Sequence, residues 1–475
     1  MMNTLRIQNV NTWLLSSDRD LKAKLHTSLR FREKNYYHSA AYKRGKWDGF
    51  TNFFNERSGM FLTGLLPEVM QLMKKLNKPY TVVDERNNNI KWLHKEINDT
   101  FLNCWLPEGY EPITLHDYQP DLVNKAMQYN RGLIQAPTAA GKTFIMISLL
   151  KCLPRKTPVL FVTKNKGLVH QNYEAMLKWG IPDVGRWYGD FKEPNFIMCV
   201  NSNVHTFRSI NKLLPKFKVL IVDEVHECMS NVPISAYKKM KKACIRFGVS
   251  ATPFKDLKIH KHTVKGHFGP IFKTSTTESG RLTTKDLQER GILSPSNCTF
   301  YPIEEPNIAY EPYIDAVTLG IAENHEFHSI VKRLARSRKG RTLILVERRD
   351  QGEYLKQLMP EAHWINGSDS LDTRKPVIEA LQSSDNVTAI VMRQIITAGI
   401  DIMIHNLINA AGGDAKYNVI QQIGRGLRCA SDKDQLEYFD FIFNINDYLY
   451  KHSKNRIRVL KEEGHNVVIK DSLDF

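Results

Sequence analysis

The sequence predicts an α/β protein with two tandem parallel-sheet domains and a small N-terminal α+β accessory domain. From about residue 115 onward, short apolar runs alternate with helical stretches, which is typical of βαβ units and parallel sheets. Residues 1–100 differ, because basic and aromatic residues there interleave between turn signals. We therefore expect an accessory nucleic-acid-binding domain over residues 1–100, a nucleotide-binding domain over 101–272 and a second sheet domain over 273–475.

Composition limits the class of protein. The 475 residues are 42% hydrophobic and 25% charged, which suits a globular chain with a large core. The formal net charge of +17 favours a polyanionic partner, nucleic acid above all, over an incidental basic surface. Seven cysteines without a CxxC pair argue against a disulfide framework or a zinc ribbon. Without a signal peptide or a bilayer-spanning run, we expect a soluble, cytoplasmic monomer with no membrane partner.

The accessory region carries candidate nucleic-acid contacts. Residues 31–61 mix basic and aromatic side chains, which can supply phosphate contacts and stacking platforms for bases. Equally, the aromatic residues can form the core of a small domain and the lysines a solvated face. Both interpretations stay open, and the candidate contacts are Lys43, Arg44, Lys46 and Trp47.

A phosphate-binding loop is predicted at residues 136–143, which read APTAAGKT between an apolar strand and an apolar helix. Such a loop aims backbone N–H groups and a helix dipole at a phosphate chain. Lys142 can reach the terminal phosphates, and the Thr143 hydroxyl can ligate Mg²⁺. Ala136 departs from the P-loop motif, which has glycine there. The other expected nucleotide contacts are Pro137, Thr138, Ala139, Ala140 and Gly141.

Polar residues near the predicted helices and strands add to this site. Gln119 lies about one helix upstream of the loop, where its amide can pair with an adenine edge, which favours ATP. Carboxyl ends of parallel strands line the ligand crevice. Thr163, Lys164 and Asn201 follow two such strands and are candidates for nucleic-acid backbone contacts, although each fits a helix cap or turn equally well.

Two adjacent acids supply the predicted hydrolytic chemistry. The apolar run 219–222 leads directly into Asp223 and Glu224, followed by Val225 and His226. Asp223 can hold Mg²⁺ through water, and Glu224 can orient and deprotonate the attacking water. At a later strand end, hydroxyl groups can bond the acids and report nucleotide state. The expected coupling residues are His226, Ser250, Ala251 and Thr252.

The loop, the DEVH tetrapeptide and the SAT tripeptide at 250–252, in this order, resemble a superfamily 2 helicase of the DExH type. The resemblance covers about residues 115–446 and implies two RecA-like domains with ATP bound in the cleft between them. Residues 397–401 resemble helicase motif V. The resemblance of this segment to motif V implies that Gly399 permits close backbone approach and that Asp401 contacts the ribose or relays to the nucleotide. It also implies that Thr397 contacts nucleic acid.

Residues 421–428, QQIGRGLR, resemble helicase motif VI. Arg425 and Arg428 are three residues apart, so we expect them on one helical face, able to reach the γ-phosphate as arginine fingers. Gln421 belongs to the same catalytic set, whereas Gln422 stands where many DExH proteins have a further arginine. ATP binding is then expected to close the two domains, and hydrolysis to reopen them.

Within the superfamily, the phage UvsW-type helicases are the nearest resemblance, with RecG and XPB more distant. It rests on LHDYQ at 115–119, FGP at 268–270, GILSP at 291–295, the form of motif VI, KWDG at 46–49 and GLLP at 64–67. The family implies ATP-dependent unwinding and branch migration of forked and four-way DNA in recombination, repair and replication restart, with single strands and branched duplexes as partners.

Three alternatives stay open: an RNA helicase, a duplex DNA translocase without strand separation, and a scaffold with an inactive ATPase. The last is disfavoured because an inactive site need not retain Lys142, Asp223, Glu224 and both arginines. Residues 255–273, which include three histidines, are expected to form a solvated basic loop rather than a metal site. Residues 451–458 are expected to add a DNA contact or form a solvated helix.

Overall fold

The computed structural model describes residues 3–86, 89–255, 257–369, 371–396, 403–413, 416–429 and 433–475. The chain divides into two compact units, Met1–Ala136 with Gly141–Leu282, and Pro137–Ala140 with Thr283–Phe475. Each unit contains one seven-stranded sheet, and the first also contains a four-stranded N-terminal sheet. The predicted α/β class is confirmed. The division at residues 100 and 272 stays a prediction.

The N-terminal region forms a four-stranded sheet with strand order β5-β2-β1-β6 and a separate pair, β3-β4. Its strands are β1 (Asn3–Ile7), β2 (Asn11–Leu15), β3 (Arg30–Arg32), β4 (Phe50–Asn52), β5 (Met60–Leu62) and β6 (Tyr80–Asp84). Its helices are α1 (Arg19–Ser28), α2 (Ala40–Lys43), α3 (Leu66–Lys75) and the short 3-10 turns Tyr36–His38 and Thr63–Leu65.

The N-terminal aromatic residues divide into a buried and an exposed group, and contact of the exposed group with nucleic acid stays a prediction. Phe54 and Phe61 are buried in a cluster with Leu5 and Leu14, so they are core residues. Tyr37 and Tyr42 are exposed. The sequence could not separate the two groups, because the choice depends on which residues face the sheet.

The first large sheet has strand order β10-β9-β11-β8-β12-β13-β7 and is parallel except for β10. Its strands are β7 (Arg131–Gln135), β8 (Val159–Thr163), β9 (Val184–Tyr188), β10 (Phe191–Lys192), β11 (Ile197–Asn201), β12 (Val219–Asp223) and β13 (Ile245–Ser250). Its helices are α4 (Tyr118–Tyr129), α5 (Lys142–Lys151), α6 (Lys166–Lys178), α7 (Val204–Ser209), α8 (Asn231–Lys239) and α9 (Lys258–Phe268); 3-10 turns span Phe101–Trp105, Leu214–Lys216 and Val225–Glu227.

Every residue of β8, β11, β12 and β13 is buried. A parallel strand covered on both faces favours a continuous apolar run. Strands β8, β11 and β12 follow this pattern, whereas β13 includes the buried Arg246. Since β7, β13, β12, β8 and β11 are successive parallel neighbours, their carboxyl ends lie along one edge. Residues that follow these strands are therefore brought together.

Helix α9 corrects the prediction of a solvated loop over residues 255–273. Lys258–Phe268 is helical, and Val264 and Phe268 pack in the buried cluster around the first large sheet. His267 is also buried. The segment contains few apolar residues, so its composition suggested a loop, but those few lie on one face and dock the helix.

The second unit contains a seven-stranded, fully parallel sheet with strand order β16-β17-β15-β18-β19-β14-β20. Its strands are β14 (Ser296–Ile303), β15 (Thr342–Val346), β16 (His363–Ile365), β17 (Thr388–Met392), β18 (Asn406–Asn409), β19 (Leu436–Phe443) and β20 (Asn466–Ile469). Its helices are α10 (Thr284–Glu289), α11 (Tyr313–Val317), α12 (His325–Ser337), α13 (Arg349–Leu358), α14 (Leu371–Ser383), α15 (Arg393–Ile396), α16 (Lys416–Gly426), α17 (Asp447–Glu462) and a π-helical turn, Thr318–Ala322.

Helix α17 contains the basic segment 451–458, but this segment is not uniformly solvated. Arg456 is buried, and its Nε lies 2.8 Å from Oδ2 of the buried Asp440 in β19. Arg458 is exposed and pairs with Glu462. The prediction of a solvated helix is therefore wrong for Arg456, which anchors α17 to the sheet. Within the described ranges, no helix is long and apolar enough to cross a membrane.

Candidate active site

The predicted phosphate loop connects β7 to α5. Gly141 precedes the helix with φ 74°, and no side chain caps the helix start. As the N-cap residue, Gly141 has no side chain that could bond the first N–H groups of α5, and helix N-termini attract anions. Ala139 has φ 64°, a left-handed conformation that costs a non-glycine residue about 1 kcal/mol or more and is often found at functional sites. Thr143 is exposed in the first turn of α5.

Gln119 lies against this loop. A Cβ atom at Gly141 would lie 2.2 Å from the Gln119 Nε2, so only glycine fits there without rearrangement. Gln119 itself is buried, and its Oε1 accepts a hydrogen bond of 2.9 Å from the His116 N–H. The structure therefore places Gln119 next to the loop, and its contact with adenine stays a prediction.

The two acids occupy different environments at the end of β12. Asp223 Oδ1 accepts a 2.9 Å hydrogen bond from the Glu224 N–H. Glu224 has φ 45° and ψ 53°, a conformation that is rare for a non-glycine residue. Its Oε1 lies 3.7 Å from Lys142 Nζ, and its Oε2 accepts a 3.1 Å hydrogen bond from the Ser250 hydroxyl. Lys142, Glu224 and Ser250, predicted from three separate motifs, are thus neighbours.

His226 joins the same network. Its Nδ1 lies 2.9 Å from Ser250 Oγ, which also accepts a 3.0 Å hydrogen bond from the Thr252 N–H. The single Ser250 proton goes to Glu224, so His226 Nδ1–H must donate to Ser250. Burial lowers the pKa of His226 to about 4, which keeps the ring neutral near pH 7. Ala251 contributes its carbonyl, which accepts a 3.1 Å hydrogen bond from Gln135 Nε2.

Glu227 is a site residue that the sequence analysis missed. Its carboxylate contacts Lys164 Nζ, and its Oε1 lies 3.4 Å from Lys255 Nζ. Burial alone would raise the pKa of Glu227, but the hydrogen bond and charge of Lys164 and the charge of Lys255 outweigh burial and lower it. Lys164, a predicted nucleic-acid contact, is engaged here. The position of Glu227 directly after the DEVH tetrapeptide was an available signal.

The other predicted nucleic-acid contacts fall into two groups. Thr163 and Asn201 are buried, and each side chain bonds within the fold: Thr163 Oγ1 donates to the Asn165 carbonyl, and Asn201 Oδ1 accepts from Thr206. A contact at these positions would have to use the backbone. Lys43, Arg44 and Lys46 are exposed. Trp47 is half-buried, and its indole N–H donates to the Phe50 carbonyl.

The second unit contains residues 421–428, where the two arginine fingers are predicted. Arg425 belongs to α16, as does the buried Gln421. Arg428 does not, because α16 ends at Gly426 and Arg428 forms an antiparallel bridge with Leu293. The prediction that both arginines share one helical face is therefore wrong, because the chain leaves the helix before Arg428 and pairs with Leu293 instead. Thr397, Gly399 and Asp401 lie outside the described residues.

Comparisons with known proteins match the segment that contains this site. The family described as the res subunit of type III restriction enzymes matches residues 112–255. The chain is 20% identical over 482 residues to the ATP-dependent DNA helicase uvsW of Enterobacteria phage T4, covering 94% of both chains. It is 24% identical to the DNA 3'-5' translocase XPB2 of Sulfurisphaera tokodaii, covering 69% of this chain and 81% of the relative.

A solved structure supports the fold. The fragment structure of a putative HsdR subunit of a type I restriction enzyme from Vibrio vulnificus YJ016 matches with a TM-score of 0.54 at 15% sequence identity. The match covers 74% of this chain and 68% of that chain. At this identity, the likeness concerns the arrangement of helices and strands.

Fold and site together define a nucleotide-binding protein with two RecA-like sheets. The predicted resemblance to superfamily 2 helicases of the phage UvsW type is confirmed, and an ATP-hydrolysing enzyme of that class is supported. At the coarser level, the similarities support an ATP-dependent DNA helicase or translocase.

Proposed function

We propose that this chain is an ATP-dependent DNA helicase that translocates on and unwinds branched DNA. Its substrates are forks and four-way junctions, and its role is branch migration in recombination, repair or replication restart. The observation that carries the hydrolytic part is the cluster of Lys142, Glu224, Ser250 and His226 at one sheet edge. The DNA helicase part is supported by the similarity to the ATP-dependent DNA helicase uvsW over 94% of this chain. The branched substrate rests on the resemblance of the sequence motifs to the phage UvsW-type helicases.

The residues present fit ATP with Mg²⁺. Among the described residues, no group of three His, Cys, Asp or Glu side chains can hold a metal by itself. Mg²⁺ commonly takes one or two protein ligands and completes its shell with phosphates and water. Asp223 and Thr143 would hold the ion, which when bound offsets phosphate charge. The N-terminus of α5 and Lys142 would bind the phosphates.

Glu224 is the proposed base. Lys142 and Ser250 hold its two carboxylate oxygens, so the carboxylate is already oriented before a substrate arrives. It would accept a proton from the attacking water. Arg425 and Arg428 are proposed to supply positive charge to the γ-phosphate, with Gln421 beside them.

Strand release from labelled substrates tests the function. A fork, a four-way junction, a tailed duplex and an RNA fork are compared with ATP and Mg²⁺, with Glu224→Gln as the inactive control. We expect release from the fork and the four-way junction well above the tailed duplex, and none from the variant.

The other outcomes identify the alternatives. ATP turnover on every DNA without strand release would indicate a duplex translocase, since hydrolysis would then drive movement only. Preferential release from the RNA fork would overturn DNA as the substrate.

A further inference from the structure

A groove separates strands β3 and β4 from helices α8 and α9, all within the first unit. Its volume is ≈ 710 Å³. Phe31 fixes the β3 side to α9, since its ring centroid lies 4.2 Å from that of His262. Helix α9 therefore forms one wall of the groove, and the contact between Phe31 and His262 holds strand β3 beside it. The basic side chains that line it are Arg30, Arg32, Lys34 and Lys258.

The charge of this groove is unbalanced. Arg30 pairs with Asp48 at 2.5 Å. Arg32, Lys34 and Lys258 are exposed, and none has a carboxylate partner within the described part of the chain. Glu33 is the acid in the lining, and its Oε1 accepts a hydrogen bond from Thr51. Three cations along one groove complement a polyanionic backbone rather than a single small anion.

His260 connects this groove to the active site. It lines the groove, and its Nδ1 accepts a 3.1 Å hydrogen bond from the Lys255 N–H. The proton must then lie on Nε2, which donates to the His226 carbonyl at 3.1 Å. Burial lowers the pKa of His260, so this neutral form is favoured at pH 7. Both ring nitrogens are therefore used within the protein.

From His226 the hydrogen bonds continue to the proposed base. His226 Nδ1–H donates to Ser250, and Ser250 donates to Glu224. A displacement of the α9 wall would thus reach Glu224 through His260, His226 and Ser250 without any contact between nucleic acid and the hydrolytic residues. Coupling through such a chain requires that the wall have two arrangements.

We propose that the groove binds the phosphodiester backbone of a nucleic-acid strand and that His260 is a positioning residue that transmits its occupancy to Glu224. The transmission rests on the proposed ATPase function. The binding does not, and it is tested separately.

Binding is tested with Lys258→Ala and a matched control on the same helix, Lys261→Ala, which is exposed and does not line the groove. The probes are a single strand and a blunt duplex of DNA, titrated at several salt concentrations. Loss of one phosphate contact should reduce the slope of log Kd against log salt by about 1. Lys258→Ala should show this on at least one probe, which identifies the strand form bound. Wild-type slopes on both probes would overturn the groove as a binding site.

Transmission is tested with two substitutions of His260. His260→Gln can keep an acceptor and a donor, whereas His260→Phe keeps the ring volume and loses both hydrogen bonds. We expect His260→Phe to lower the ratio of DNA-stimulated to basal ATP turnover by about fivefold or more, the range of ordinary coupling energies. His260→Gln should restore much of the ratio. Equal ratios in wild type and His260→Phe would overturn the relay.

Failure of the proposed function and failure of the His260 relay give different results. If no DNA stimulates ATP turnover by the wild-type protein, the proposed function and the relay both fail, while the salt titration still decides the groove. If DNA stimulates the wild-type protein and His260→Phe alike, the DNA-stimulated ATPase on which the relay rests is retained and only the relay fails.

Discussion

Gly141 shows how strongly one residue can be constrained at the phosphate loop. It combines φ 74° with a position where a Cβ atom would meet Gln119 Nε2 at 2.2 Å. Gly141→Ala should weaken ATP binding by tenfold or more, about 1.4 kcal/mol, since φ 74° strains alanine and the buried Gln119 side chain must also shift away from the loop. Equilibrium binding of a labelled ATP analogue measures this.

Gly109→Ala is the matched control for this substitution. Gly109 has φ 79°, and nothing lies within 4 Å of an added Cβ, so the substitution introduces conformational strain without a clash. Equal ATP affinity in the two variants would show that the Gln119 contact does not constrain the loop.

His465 makes folding stability depend on pH. It is buried beside Ser296, with Nδ1 2.6 Å from the hydroxyl, and burial lowers its pKa to about 4. In the unfolded chain its pKa is about 6.5, so between these values the unfolded state binds the extra proton. Its contribution is complete above pH 6.5 and falls by about 1 kcal/mol per pH unit as the pH drops towards 4.

His465→Gln should therefore flatten the dependence of unfolding free energy on pH between 6.5 and 5, whatever its effect at pH 7. Urea denaturation at several pH values checks this, with the exposed His38→Gln as control. An unchanged slope in His465→Gln would contradict the buried, neutral state.

At the scale of elements, α17 depends on a buried ion pair. Arg456 donates from Nε and Nη2 to the two Asp440 oxygens, and Tyr438 and Asn409 also donate to Asp440. Arg456→Ala would leave a buried carboxylate without its counter-charge, so unfolding free energy should fall by about 3–5 kcal/mol.

Two residues further along, Arg458→Ala removes an exposed pair with Glu462 and should cost less than about 1 kcal/mol. Chemical denaturation of both variants makes the comparison. Similar losses would mean that burial of the Arg456 pair does not stabilise α17.

Elements whose pattern reflects burial on both faces were predictable. The strands at 159–163, 219–223 and 342–346 are continuous apolar runs, and the structure confirms them. Helix α9 was not predictable, because a docked helix needs only a few apolar residues on one face. Strands β14 and β20 were missed as well, since polar residues and Pro302 interrupt the pattern of β14 and most of β20 is exposed.

The same distinction applies to the site. Lys142, Asp223 and Glu224 follow strand ends at fixed positions, so the sequence identified them. His260 was missed because it acts through tertiary hydrogen bonds between elements distant in sequence, 34 residues from the carbonyl that it binds. Arg428 is the opposite case. The spacing of Arg425 and Arg428 predicted that they share one helix, but α16 ends before Arg428.

At the scale of the whole first unit, the N-terminal region packs against helix α9, which covers the first large sheet. Glu68 lies 3.4 Å from His262 and contacts Lys265. The hydrogen bond from His262, followed by that from Lys265, lowers the pKa of the Glu68 carboxyl to about 2. Gly64 packs against the end of α9, where an added Cβ would meet the Lys265 carbonyl at 2.0 Å. The N-terminal sheet thus belongs to the same compact unit as Lys142, Asp223 and Glu224.

ATP turnover with and without DNA, compared between wild type and Glu224→Gln, tests the central claim most directly. Glu193→Gln, which changes a glutamate paired with Arg186 away from the site, is the matched control. The account predicts DNA-stimulated turnover in wild type and in the control, and a loss of about a hundredfold or more in Glu224→Gln, the usual contribution of a positioned base. Turnover in Glu224→Gln equal to that of the control would contradict the assignment of this edge of the first large sheet as the hydrolytic site.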